Sequence, residues 1–151
     1  MGYIMDLREQ VGSRPLIMPG SCVLVFNKEG QLLLQKRTDS LDWGTIGGSM
    51  EPGESFEDTA RRELLEEAGL TVNALTFINI FSGQDMYYKY PNGDEVYNVI
   101  AMFEVRDVED EPRINDHESL ELGYFSLDEP ISDLNPFSEL YLRKAGYIKL
   151  W

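Results

Sequence analysis

The chain has 151 residues, 42% of them hydrophobic, with 13 Lys and Arg against 27 Asp and Glu, for a formal net charge of −14. That length suits one domain whose core needs no staples; the single cysteine, Cys22, excludes an intramolecular disulfide and reads as a small buried hydrophobe. The acidic balance excludes general affinity for nucleic acid, whose phosphates are bound by clustered Lys and Arg.

Met5 to Gly12 reads as a short helix ending at a glycine, followed by a turn at Ser13-Arg14-Pro15. Residues 1–15 are therefore expected to be a helical extension of a single domain covering 16–151. Asp6, Arg8 and Glu9 break any signal-peptide pattern at the N-terminus, and no apolar run reaches membrane-spanning length, so a cytoplasmic, reduced protein without membrane contact is expected. SCVLVF, from Ser21 to Phe26, is apolar and β-prone; Asn27 to Gly30 is a turn; QLLLQK, from Gln31 to Lys36, continues as the second strand of a hairpin. A polar loop then leads from Arg37 to Trp43-Gly44.

Gly48 to Leu70 combines a glycine-containing loop with a helical pattern. Pro52-Gly53 marks a turn, Ser55 and Asp58 resemble a capping box, and Gly69 supplies a residue able to close the helix in the left-handed region. At about 100° per residue, Glu66 and Glu67 lie roughly 60° and 40° to either side of Glu63, beside an apolar strip of Ala60, Leu64 and Ala68. Three acids sharing one face near a helix C-terminus repel one another and oppose the macrodipole. As a solvated face this arrangement is unfavourable; a bound divalent cation reverses the sign of those terms, because hard cations take carboxylate oxygens.

Gly48, Glu54, Arg62, Glu63, Leu64, Glu66, Glu67, Gly69 and Leu70 are nine specified positions within 23 residues, and they fill every fixed position of the signature of the Nudix (MutT-like) hydrolases. The stretch thus resembles that family's box, departing from its commonest form only in Ile46, where proline often precedes the Gly47-Gly48 pair. The resemblance implies an α/β fold, an α/β/α sandwich with a mixed β-sheet between helices. It also implies water attack on a nucleoside diphosphate linked to another group X, giving a nucleoside monophosphate and phosphorylated X with Mg2+, or Mn2+, as cofactor. Carried over residue by residue, Glu66 and Glu67 are the main metal ligands and Glu63 a further ligand or the base that activates water. Arg62 and Glu54 pair to hold the loop on the helix, and Gly48 lets backbone approach the metal or the phosphates. Trp43 either stacks on a base or anchors its loop. The chemistry agrees with the residues, since carboxylate-held metal neutralises phosphoryl oxygens and orients water without a covalent nucleophile.

Beyond the box, Thr71 to Phe81 has strand character, and Met86–Tyr90 and Glu95–Val105 flank Asn92-Gly93, a hairpin signal. Phe81, Tyr87, Tyr88, Tyr90 and Tyr97 gather here, favouring cross-strand packing over a nucleobase clamp; in a clamp, Tyr87 or Tyr88 is the first candidate, by resemblance to diadenosine polyphosphate hydrolases of the family. Asp107 to Asp116 is an acidic loop and Leu120 to Leu127 a strand. Just before it, Glu118, with Glu121 second, matches the offset at which several family members carry an additional metal-binding or catalytic glutamate; a solvated loop acid is the other reading. His117 reads as solvated. Pro136 opens a C-terminal helix over roughly Phe137 to Ala145, ended by Gly146. The expected partner is a small nucleotide; a dinucleoside polyphosphate is the runner-up substrate. A nucleotide-sensing module of the same fold is the competing class, and retention of Glu54, Arg62, Glu63, Glu66 and Glu67 weighs against it. The residues leave the oligomeric state open, a homodimer included.

Overall fold

The computed structural model describes residues 2–116 and 119–148. In chain order the elements are α1 (Tyr3–Val11), β1 (Leu16–Asn27), β2 (Leu32–Arg37), β3 (Trp43–Gly44), β4 (Ile46–Ser49) and α2 (Phe56–Ala68). β5 (Thr76–Phe81), β6 (Tyr87–Lys89), β7 (Glu95–Val108), β8 (Ser119–Phe125) and α3 (Pro136–Lys144) follow. His117 and Glu118 fall outside the described residues. Among the described residues no helix is long and apolar enough to cross a membrane.

The sheet is mixed. β1 runs parallel to β7 from Leu16 opposite Val96 to Val25 opposite Val105, and the path continues β3-β2-β1-β7-β5, with β4 on β1, β6 on β7 and β8 on β2. A parallel pair at the centre of a sheet is covered on both faces. The unbroken buried run from Gly20 to Phe26 follows from this position. Period-two alternation then sorts the run: Cys22, Leu24 and Phe26 join Tyr141 and Leu142 of α3 in one core, while Val23 and Val25 join Ala60, Leu64 and Ala68 of α2 in another. The result is the helix–sheet–helix arrangement expected.

Several boundaries differ from the sequence expectation for identifiable reasons. β1 and β2 pair only at Phe26 and Leu32, because β4 takes the same edge of β1 from Gly20 to Val23; the expected hairpin therefore splays after one residue pair. Residues Thr71 to Leu75 are not strand. Arg61 draws the carbonyls of Val72 and Asn73 toward its guanidinium, the latter at 3.1 Å, and takes them out of any ladder. β7 extends to Val108 on the support of its parallel partner, past the expected end at Val105. The Asn-Gly hairpin is present, with the Tyr90 N–H donating to the Asp94 carbonyl at 2.8 Å. Pro136 occupies the first turn of α3.

Candidate active site

The helix within Gly48 to Leu70 is capped at both ends by its own residues, through side chains at its start and backbone at its end. Ser55 Oγ accepts from the Asp58 N–H at 3.0 Å while an Asp58 carboxylate oxygen accepts from the Ser55 N–H at 3.0 Å, closing the capping box. Gly69, at φ 65°, ends α2 in the left-handed conformation and donates to the Leu65 carbonyl at 3.0 Å. With Ala60, Leu64 and Ala68 pressed onto the sheet, the helical phase is set. Glu63 and Glu67, four residues apart, turn inward and are 9% and 1% exposed, whereas the Glu66 side chain keeps 52% of its surface in solvent.

Arg62 organises the acids around it. Its Nε and Nη2 donate to the two Glu54 carboxylate oxygens at 2.6 and 2.9 Å, Nη2 also to the Ser49 carbonyl at 2.9 Å, and Nη1 to Glu63 at 2.7 Å and Glu66 at 3.4 Å. This fork joins the loop to the helix and holds the Glu54 carboxyl down at about 2, mainly through the Arg62 hydrogen bonds. Gly48 stands directly over Glu63: a Cβ there would lie 2.5 Å from a Glu63 carboxylate oxygen.

Glu67 lines a cavity of about 470 Å³ together with Glu63, Gly47 and Gly48. Its Oε1 accepts from the Gly47 N–H at 2.8 Å. Burial, and next the charge of Glu63, raise its proton affinity well above the usual carboxylate range; hydrogen bonds from Gln35 and Gly47 and the charge of Arg37 act in the opposite sense. Gln35 is itself fully buried, donating to the Thr45 carbonyl at 3.4 Å and accepting from the Ser119 hydroxyl.

These groups fit a hard divalent cation. Two inward carboxylates crowd one cavity against their mutual repulsion, and Mg2+ is commonly held by one or two carboxylates together with substrate phosphates and water. Among the described residues, no three His, Cys, Asp or Glu side chains form a ready-made cation cage. Glu66 faces Arg62 outside the cavity lining, and the remaining sequence candidate, Glu118, lies outside the described residues.

The same cavity has an aromatic and polar part. Tyr88 lines it, with ring centroids 4.8 Å from Tyr90 and 5.7 Å from Phe137. Tyr87 turns away: its ring meets Tyr97 at 5.3 Å and its hydroxyl donates to Glu95. Trp43 is not among the lining residues and packs edge-on against Phe125 at 4.7 Å. Tyr90, one of the clustered aromatics, also lines the cavity, as do three residues that no sequence signal marked for a site: Arg37, whose guanidinium is 3.0 Å from Asp39, Asn135 and Phe137. Asn135 caps α3, accepting from the Phe137 and Ser138 N–H groups at 2.9 and 3.1 Å and donating to Asp42 at 3.0 Å. The Asn-Pro pair was the available signal for that cap.

Comparison with known proteins agrees with this geometry. The model of the NUDIX domain matches residues 17–145. A Bacillus subtilis protein described as a putative 8-oxo-dGTP diphosphatase is 42% identical over 62 residues, covering 41% of this chain and 42% of its own length, so the match spans less than half of that relative. A Mus musculus oxidized purine nucleoside triphosphate hydrolase is 34% identical over 117 residues, covering 76% of this chain and 70% of its own. The crystal structure of a MutT protein from Methanosarcina mazei Go1 superposes with a TM-score of 0.71 at 18% identity, covering 88% of this chain and 95% of that one. The box, the sandwich around it and the family match over residues 17–145 lead to one conclusion: this chain belongs to the NUDIX domain family.

Proposed function

We propose that the protein hydrolyses a phosphoanhydride bond of a nucleoside diphosphate derivative, NDP-X, with Mg2+ or Mn2+ held by Glu63 and Glu67. The observation that carries this reading is the meeting of those two inward carboxylates with the Gly47-Gly48 backbone in one cavity that Tyr88 and Phe137 also line. When bound, the cation neutralises phosphoryl oxygens and lowers the pKa of water. The chain supplies the rest. The Arg62 fork fixes Glu63 and the loop, Gly48 leaves the Glu63 carboxylate accessible, and the Tyr88 and Phe137 rings suit stacking on a base. Water attacks phosphorus, the anhydride P–O bond breaks, the water's proton passes to a carboxylate of the pair, and the products are a nucleoside monophosphate and phosphorylated X. The descriptions of the two relatives favour a purine nucleoside triphosphate, oxidised or not, as the first substrate to try; for a triphosphate, X is phosphate and leaves as pyrophosphate. A dinucleoside polyphosphate is the alternative, supported by Tyr88 at the cavity.

The test is a chromatographic product assay with Mg2+ and with Mn2+ on nucleoside triphosphates, 8-oxo-dGTP, nucleotide sugars, ADP-ribose and dinucleoside polyphosphates, run beside Glu67→Gln. The wild type is expected to release a nucleoside monophosphate from at least one of them, and the variant to turn over at least about a hundredfold more slowly. Near-normal turnover in folded Glu67→Gln removes Glu67 from the chemistry. Binding of a nucleotide without hydrolysis by the wild type replaces the enzyme reading with a sensor.

A further inference from the structure

The N-terminal helix lies outside the segment matched by the family model, yet it walls the cavity. Ile4, Met5 and Arg8 of α1 line it, next to Met18 of β1. The helix is pinned at both ends to elements of the cavity rim. At its start, the Tyr3 N–H donates to a Glu51 carboxylate oxygen at 2.9 Å, two residues beyond β4 in the loop that leads into α2. In its second half, Arg8 is only 8% exposed and its guanidinium is spent on backbone: Nη2 donates to the Glu95 carbonyl at 2.6 Å and Nη1 to the Arg14 and Gly12 carbonyls at 2.6 and 3.0 Å, with Asp94 at 3.7 Å from Nε. The Glu95 N–H returns a bond to the Ser13 carbonyl at 3.2 Å. Burying a guanidinium is costly unless its donors are satisfied, so this is an anchor and not a stray surface contact. α1 therefore bridges from Glu51, in the loop before α2, to Asp94 and Glu95, at the start of β7.

We propose that α1 is a specificity wall: latched at Glu51 and Arg8, it sets the length of nucleotide the cavity admits, accepting a ligand with one nucleoside and excluding one with two. This deepens, and rests on, the hydrolase reading above. The partly open cavity of about 470 Å³ is within the range that holds one small ligand, and Ile4, Met5 and Met18 present an apolar stretch of wall beside Arg8, whose donors are already taken by backbone carbonyls.

The experiment compares kcat/KM for a nucleoside triphosphate and for a dinucleoside tetraphosphate in the full-length wild type, in Arg8→Ala, which releases the anchor, and in Met5→Trp, which thickens the wall at a half-exposed position without removing any bond. Arg8→Ala is expected to shift the ratio at least about tenfold toward the dinucleotide. Met5→Trp should raise KM for the triphosphate more than it lowers kcat. A ratio within twofold of wild type in both variants, with both folded, overturns the proposal, because a merely structural helix moves both substrates together. If the wild type hydrolyses neither of these nor any other member of the nucleotide panel above, it is the hydrolase reading that fails. The wall is then judged by amide hydrogen exchange over residues 3–11 with a nucleoside diphosphate added: slowed exchange sustains it and unchanged exchange overturns it.

Discussion

Glu54→Gln tests the fork that holds the candidate site together. Glu54 accepts four hydrogen bonds: from Arg62 Nε at 2.6 Å and Nη2 at 2.9 Å, from the Thr59 hydroxyl at 3.0 Å and from the Glu51 N–H at 2.8 Å. The two from Arg62 are charge-assisted, each worth ~1.5–3 kcal/mol in a dry setting. Arg62 keeps 27% of its side-chain surface, so solvent screening lowers the loss on replacing the carboxylate by an amide to ~2 kcal/mol in all. For a chain of this size that is a fall in Tm of about 4–8 °C. The pH dependence has a definite sign. Because the folded-state carboxyl is lowered from 4.5 to about 2, its contribution is fully present above pH 4.5 and is lost as pH falls through the window down to about 2. Urea denaturation followed by tryptophan fluorescence at pH 7, 5 and 3 measures this. Wild type and Glu54→Gln should differ by ~2 kcal/mol at pH 7 and at pH 5, and by clearly less at pH 3. A gap below about 0.5 kcal/mol at pH 7, the size of an ordinary surface substitution, refutes the reasoning. So does a gap that stays constant between pH 5 and pH 3.

Gly48→Ala separates function from stability. The three atoms nearest the new Cβ are all of the Glu63 carboxyl group, the far end of a flexible side chain, so unfolding free energy should change by less than about 1 kcal/mol, while displacement of that carboxylate lowers turnover on the order of tenfold or more. Unchanged turnover in steady-state kinetics would show that Glu63 need not stay where it is. Asn135→Ala removes the cap of α3 and the link to Asp42 and should cost ~1–2 kcal/mol in a thermal melt, with Pro136 still in place to limit the damage. Cys22 is 2% exposed and burial pushes its thiol up to about 12. A disulfide reagent at pH 8 should therefore leave the native protein unmodified and label one thiol per chain in urea; rapid native labelling would contradict the packing of β1.

The helix at the centre of the site was legible because its signals are local. Ser55, Asp58 and Gly69 lie within a turn of the groups they cap, and the periodicity of Ala60, Leu64 and Ala68 states which face meets the sheet. Spacing gave less guidance on how three acids divide between cavity and solvent. Glu66 and Glu67 flank Glu63 on opposite sides of the same face, yet burial of Leu64 and Ala68 rotates Glu67 under β4 and leaves Glu66 with Arg62 at the surface. The tyrosine-rich hairpin was legible as a hairpin through Asn92-Gly93, whereas the division of Tyr87 and Tyr88 between outside and cavity depends on strand alternation in register with β7, where Tyr87 pairs with Tyr97 and Tyr88 with Val96.

By itself, then, the sequence determined what depends on near neighbours along the chain: the capped acidic helix, the apolar strands with their two faces, the Asn-Gly turn and the family signature. Only the tertiary structure decided what depends on contacts far apart in the chain. Arg8 reaches the carbonyl of Glu95, Thr45 meets Ser138, and Tyr88 meets Phe137, and none of these pairings has a local periodicity that could announce it. The N-terminal helix shows the difference most plainly. Its residues read as an extension because nothing local ties them to the domain, and they wall the cavity because a buried guanidinium must find its acceptors wherever the fold brings carbonyls within reach.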